Sequence, residues 1–203
     1  MAETVYVVDD DLSLREALSS LLRSVGLQVE TFASALAFLG APRAAGPACL
    51  VLDVRMAGMS GLDLQSRLQE GGDTLPVIFI TGHGDIPMAV RAIKSGACEF
   101  LSKPFCDEDL IRAIRQALDK DRRTREEAGE WDELRRKFDA LTGREKEVLT
   151  YIVQGALNKQ SAAALGISEM TIKVHRHNIM RKMHARSLPD LVRMVERLKK
   201  GEG

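Results

Sequence analysis

The sequence predicts a doubly wound α/β domain with a five-stranded parallel sheet, then a helical linker and a small all-α domain. Three observations carry this prediction. Short apolar runs alternate with amphipathic stretches from Thr4 to about Leu118, and strand signals stop after Leu141. Charge divides in the same way. Residues 1–120 hold 11 Lys/Arg against 16 Asp/Glu, a net of −5, and residues 121–139 hold 6 against 7, a net of −1. Residues 140–203 hold 12 against 6, a net of +6. An acidic first part joined to a basic last part points to nucleic acid as a partner of the second. The boundaries expected are 1–120, 121–139 and 140–203.

In chain order, the strand runs are Val5–Val8, Leu27–Phe32, Cys49–Leu52, Val77–Ile80 and Glu99–Leu101. Three are continuously apolar, as parallel strands covered on both faces require. Ser13-Leu-Arg-Glu16 reads as a capping box, opening a helix with Leu14, Leu18, Leu21, Leu22 and Val25 inward until Gly26 closes it. Pro87 starts a helix that Gly96 ends, and Asp107-Glu-Asp109 places negative charge on the first turn of the next. That helix runs on through 119–139, dense in mixed charge and free of proline, with Gly129 as the position most apt to break it. Trp131 reads as packing against a neighbour. Beyond Leu141, four short helices are expected. Thr142-Gly-Arg-Glu145 boxes the first, Asn158 caps the second, Ser168 caps the third behind a Gly166-Ile167 turn, and Ser187-Leu-Pro189 opens the last.

Several functions are excluded early. With 45% apolar and 29% charged residues, the composition is that of an ordinary soluble protein. No apolar run approaches the roughly 20 residues of a membrane span, and the first basic residue is Arg15, so no signal-peptide start is read. A cytoplasmic location with no membrane partner is expected. Cys49, Cys98 and Cys106 have neither metal-ligand nor disulfide spacing, and Cys49 reads as core filler. His175 and His177 are two apart on different helix faces, which argues against zinc.

Ligand crevices in doubly wound sheets lie at the carboxyl ends of the strands. Asp9 and Asp10 follow the first run, Asp53 ends the third, Thr81 follows the fourth and Lys103 the fifth. Each alone is an ordinary loop residue; five converging on one rim are hard to assign to chance. Clustered carboxylates repel unless a cation neutralises them, and hard oxygen ligands suit Mg²⁺. A carboxylate so held can attack a phosphoryl group, while Lys103 pairs the new charge and Thr81 hydrogen-bonds it.

Val-Val-Asp9-Asp10-Asp11, Leu-Asp53-Val-Arg-Met, Ile-Thr81-Gly-His-Gly-Asp and Phe100-Leu-Ser-Lys103-Pro104-Phe105 resemble a response-regulator receiver domain over residues 4–118. The resemblance implies a flavodoxin-like sheet of order 2-1-3-4-5. It implies Asp53 as acceptor of a phosphoryl group from a histidine kinase, and Mg²⁺ held by Asp10, Asp53 and the Arg55 carbonyl, with Asp9 acting through water. Thr81 and Phe100 would be the switch pair, and Lys103-Pro104 a cis peptide. Ala57 departs from the proline many relatives carry, which loosens that loop.

In the last part, a helix over 168–184 separates into faces at about 100° per residue. Ile172, His175, Ile179 and Met183 form the core face; Lys173, Val174, His177, Met180, Arg181 and His184 lie opposite; Thr171, Asn178 and Lys182 form a flank. Such a helix behind a tight turn fits a major groove, and equally a solvated helix in a bundle. Leu141-Thr-Gly-Arg-Glu145-Lys-Glu147-Val-Leu, Gly155-Ala-Leu-Asn158-Lys159-Gln160 and Ile167-Ser-Glu-Met-Thr171-Ile-Lys173-Val174-His175 are similar to the LuxR/FixJ-type helix-turn-helix over 141–200. This implies base contacts from Lys173, Val174 and His177, and backbone contacts from Lys159, Thr171, Asn178, Arg181 and Lys182. His177 and Ser161 depart from the family pattern, and His175 is assigned to packing or to orienting a phosphate contact.

The combined expectation is a FixJ-type, phosphorylation-dependent transcription regulator resembling those of aromatic-hydrocarbon catabolism such as the styrene-response type. It would be an activator that dimerises on phosphorylation, binds double-stranded promoter DNA and engages RNA polymerase. It would catalyse only its own phosphorylation and dephosphorylation. The last helix, with Leu191, Val192, Val195 and Leu198, is apolar enough to dimerise DNA domains or to be core. Two rivals are weaker. A haloacid-dehalogenase-type phosphohydrolase needs an acid two residues after its nucleophile, where Arg55 stands; a ligand-sensing quorum regulator needs a sensing domain for which no residues remain.

Overall fold

A computed structural model describes residues 3–82 and 86–200. The chain divides into two units, Met1–Arg125 and Glu126–Gly203.

In the first unit the strands are β1 (Thr4–Val8), β2 (Gln28–Phe32), β3 (Ala48–Asp53), β4 (Val77–Thr81) and β5 (Glu99–Ser102), and the sheet order is β2-β1-β3-β4-β5. All four pairings are parallel. β1, β3 and β4 are buried along their whole length, whereas the edge strands β2 and β5 are not. This is why those three read as pure apolar runs. The side-chain period of two then sorts the core. Val5, Val7, Cys49, Val51, Ile78 and Ile80 face α1 (Leu12–Ser24) and α5 (Asp107–Asp139). Tyr6, Val8, Leu50, Leu52 and Phe79 face α2 (Ala35–Leu39), α3 (Gly61–Glu70) and α4 (Ile86–Lys94).

Local details correct the sequence reading. The α1 cap is Asp11, not Ser13: its carboxylate accepts from the Ser13 and Leu14 amides at 2.9 and 3.3 Å, so Ser13 and Glu16 already lie inside the helix. Val25, expected inward, is the exposed C-cap residue. The helices α2 and α3 belong to the expected alternation of strand and helix, although no cap or end was placed for either from sequence. α3 opens on a Ser60–Asp63 capping box, whose Asp at the third position lies outside the Glu/Gln pattern. Burial pushes the Cys49 thiol well above the usual range, as an inert filler requires.

The second unit contains the end of α5, then α6 (Gly143–Val153), α7 (Asn158–Leu165), α8 (Glu169–Met183) and α9 (Leu188–Lys200). Thr142 and Glu145 form the expected box on α6, and Ser168 caps α8. For α7 the N-cap is Leu157 rather than Asn158, and the Gln160 side chain accepts from the Leu157 amide at 2.8 Å. Leu191, Val195 and Leu198 of α9 are buried with Val148, Ile172 and Ile179. Those α9 positions are core within this unit.

Residues 121–125 fall in the first unit and residues 126–139 in the second, and Gly129 does not interrupt α5. Asp121, buried, accepts from the Ala48 amide at 2.8 Å and from Arg125 Nε at 2.6 Å, tying this turn to the start of β3. Leu134 and Phe138 pack into the core of the second unit.

Candidate functional site

Order 2-1-3 opens the sheet between β1 and β3, and the register sets Val8 beside Leu52, so Asp9 emerges next to Asp53. Asp9 is 1% exposed and Asp53 6%. Lys103 Nζ lies 2.8 Å from Asp9 Oδ2 and 3.3 Å from Asp53 Oδ1, bridging two carboxylates that β1 and β3 present separately. Asp10 is exposed, and its carboxylate accepts from the Ala57 amide at 3.1 Å, fixing the loop after β3 to that after β1. Thr81 is fully buried at the end of β4. Phe100 on β5 is half-buried, its ring 6.5 Å from that of Phe79. Arg55 is exposed in the loop after β3, and the Lys103–Pro104 bond is cis. His83-Gly84-Asp85, part of the motif around Thr81, lie outside the described residues.

Asp53 is held above the ordinary carboxylate range. Desolvation is the main cause; Lys103 opposes it, and the charges of Asp9 and Asp10 add to it. One ammonium thus does not neutralise three carboxylates. Ligand oxygens of Asp9, Asp10 and Asp53 lie within 4.8 Å of one another, the only such group among the described residues. A hard, oxygen-seeking divalent cation fits this donor set, and it would relieve the same charge excess that raises Asp53.

Two residues that build the rim were missed by sequence reasoning. A Cβ added at Gly61 would collide with the Asp53 carbonyl oxygen, so α3 can begin against the acceptor only without a side chain. The glycine after Ser60 was the available signal. Arg15 Nη1 donates to the Asp9 carbonyl at 2.6 Å, steadying the turn after β1.

On α8, Ile172, Ile179 and Met183 are fully buried and His175 half-buried, with Nδ1 shielded from solvent and unpartnered. Lys173, Val174, His177, Arg181 and His184 are exposed, as is Lys159 on α7. Met180, expected on the exposed face, packs against the core. Thr171 Oγ1 is 2.9 Å from Ser168 Oγ, and Asn178 is half-buried. Lys182 turns inward, its ammonium lying 2.7 Å from the buried Glu145 carboxylate and 3.2 Å from the Ala140 carbonyl. Desolvation pushes Glu145 up, but hydrogen bonds from Lys182 and Thr142 outweigh it and hold it below the usual range. Sequence reasoning read Glu145 as a cap only. The departure at Ser161 is accommodated, since the buried hydroxyl donates to the Leu157 carbonyl at 3.1 Å.

Two family models match the chain. One is the response regulator receiver domain over residues 5–115, and the other is the bacterial regulatory proteins, luxR family, over residues 139–195. The response regulator protein TmoT of Ectopseudomonas mendocina is 55% identical over 96% of this chain and 89% of its own length. The chain is a response regulator. The transcriptional regulatory protein FixJ of Azorhizobium caulinodans is 46% identical to this regulator, over 94% of it and 90% of FixJ. The structure of the response regulator StyR superposes with a TM-score of 0.90 at 52% identity, covering 97% of this chain and 99% of that one. The regulator therefore joins a receiver domain to a LuxR-type DNA-binding domain, and acts in transcription as part of a two-component system. No helix among the described residues is long and apolar enough to cross a membrane.

Proposed function

We propose that a sensor histidine kinase transfers a phosphoryl group to Asp53, and that this modification turns on promoter binding through α8. The observation that carries the reading is the single ammonium of Lys103 spanning Asp9 and Asp53. An Asp53 oxygen forms the new O–P bond as the donor's P–N bond breaks, its electron pair leaving on the imidazole nitrogen. Asp9, Asp10, Asp53 and the Arg55 carbonyl would hold Mg²⁺, which when bound supplies positive charge against the phosphoryl oxygens. Lys103 pairs with the added charge, and the Thr81 hydroxyl donates to a phosphoryl oxygen. Thr81 and Phe100 then bias a two-state receiver, Phe100 turning inward behind the threonine.

The downstream part of the proposal is an activator that dimerises when phosphorylated. Dimerisation makes the second half-site contact intramolecular and so raises affinity for paired sites. Lys173, Val174 and His177 would read bases, while Lys159, Thr171, Asn178 and Arg181 would contact phosphates. Lys182, expected in that second group, is assigned instead to holding Glu145. RNA polymerase as a partner, promoters of aromatic-hydrocarbon catabolism as targets and a cytoplasmic location belong to the same proposal.

The test is incubation with acetyl phosphate and Mg²⁺, followed by intact mass and sedimentation for wild type and Asp53→Asn. A phosphoryl mass gain and a larger sedimenting species are expected for wild type alone. A mass gain that survives Asp53→Asn, or none in either protein, overturns the assignment of Asp53.

A further inference from the structure

Among the described residues the most exposed large apolar side chain is Met170, 69% accessible, on the first turn of α8. The core contacts of α8 are made by Ile172, Ile179 and Met183, with Met180 packed beside them, so the core does not account for a thioether at position 170. At about 100° per residue Met170 stands opposite Ile179 and within about 40° of Val174, His177 and Arg181. Val174, one turn on, is also apolar and 52% exposed. The two make a narrow apolar strip on the pole of the helix farthest from the core, bordered by the exposed Lys173, His177 and Arg181. Glu169, the exposed acid beside Met170, points about 100° away along the flank.

An apolar strip within a cationic border on the first turns of a recognition helix has a specific counterpart in DNA. Helices of this kind present their N-terminal residues to base edges. The one apolar group on the major-groove edge is the thymine 5-methyl. We propose that Met170 is a specificity-determining residue, packing its thioether against a thymine methyl and fixing one position of the operator half-site. Methionine suits this role because its unbranched, polarisable side chain adapts to a small apolar partner. The inference rests on α8 being the base-reading helix.

The test is a selection of bound duplexes from a random DNA pool by the full-length, phosphorylated regulator and by Met170→Ala. Each thymine of the selected site is then replaced by uracil, which removes only the methyl. Wild type should lose roughly fourfold in affinity per half-site at one position, the factor that burying one methylene-sized group supplies. In Met170→Ala that loss should vanish while the preferences at other positions persist. An unchanged uracil penalty in Met170→Ala, or no penalty at any position in wild type, overturns the proposal. A Met170→Ala protein that selects the same site but fails in transcription with RNA polymerase overturns it too, assigning the strip to a protein partner. If wild type enriches no sequence, the base-reading role of α8 fails together with it.

Discussion

At the acidic rim, Asp9 and Asp53 are almost fully buried and share one ammonium. On α8, by contrast, Lys173, His177 and Arg181 stand in solvent. Both regions place charge where a phosphate is expected to come, yet the settings are opposite. At the rim, charge is concentrated in a desolvated place before any ligand arrives, and the fold carries that cost in its resting state. On α8 the charges stay hydrated, and under the proposed function they would do so until DNA displaces the water and counterions. A substitution at the rim should therefore alter stability and chemistry together, whereas one on the exposed helix face should alter binding alone. The Glu145–Lys182 pair belongs with the rim in character, although it lies in the helical unit.

That pair offers the largest expected effect. Glu145→Ala would leave the Thr142 amide without its side-chain acceptor and Lys182 with the Ala140 carbonyl but no counter-charge, and should destabilise the second unit by about 2–3 kcal/mol. The single tryptophan, Trp131, lies in that unit, so urea unfolding followed by its fluorescence is the measurement. A loss below half that size would place the pair among ordinary surface ion pairs.

Next comes Gly61→Ala. The added Cβ forces α3 away from the Asp53 carbonyl, at a cost of about 1–3 kcal/mol to the first unit. Phosphorylation by acetyl phosphate should slow as well, because the acceptor moves with that carbonyl. Lost stability with an unchanged phosphorylation rate would separate the helix contact from the chemistry.

Lys173→Ala should reverse the pattern. Specific DNA binding should fall by about 1–3 kcal/mol, with folding stability changed by less than about 0.5 kcal/mol. Equal loss of specific and non-specific binding would deny base reading.

The smallest effects separate the two buried carboxylates by sign. Asp53 is raised, so its contribution is full below the ordinary Asp value and is lost as pH rises through its folded value. In metal-free buffer Asp53→Asn should therefore melt higher than wild type at neutral pH, with the advantage disappearing in acid. Glu145 is lowered, so its contribution is present above the ordinary Glu value and is lost as pH falls through its folded value. Glu145→Gln should flatten the acid side of the Trp131 unfolding profile. Matching signs for the two variants would collapse the distinction between them.

Much of this is legible in the residues. The strands β1, β3 and β4 announce themselves because burial on both faces leaves no polar position, and the same logic marks Asp53 as the polar end of a pure apolar run. Helix ends are readable where Thr142, Ser168 and Gly26 sit in standard capping positions. Ser13 and Asn158 mislead, because two capping-type residues or an alternative acceptor compete there and only hydrogen-bond geometry can choose. The extent of the linker is not legible, because Asp121 and Leu134 owe their burial to partners distant in sequence, Ala48 in one case and the core around Ile172 in the other.

By itself, the sequence determined the alternation of strand and helix, the identity of the five rim residues and the core face of α8. Those follow from local periodicity and from which residue types end an apolar run. Tertiary structure alone decided that one lysine joins Asp9 to Asp53, that Gly61 must lack a side chain and that Lys182 turns to Glu145. It also decided that Met170 is the most exposed large apolar side chain on α8. Each of these depends on distances between segments far apart in the chain, or on what the rest of the fold leaves uncovered, and neither is encoded in spacing.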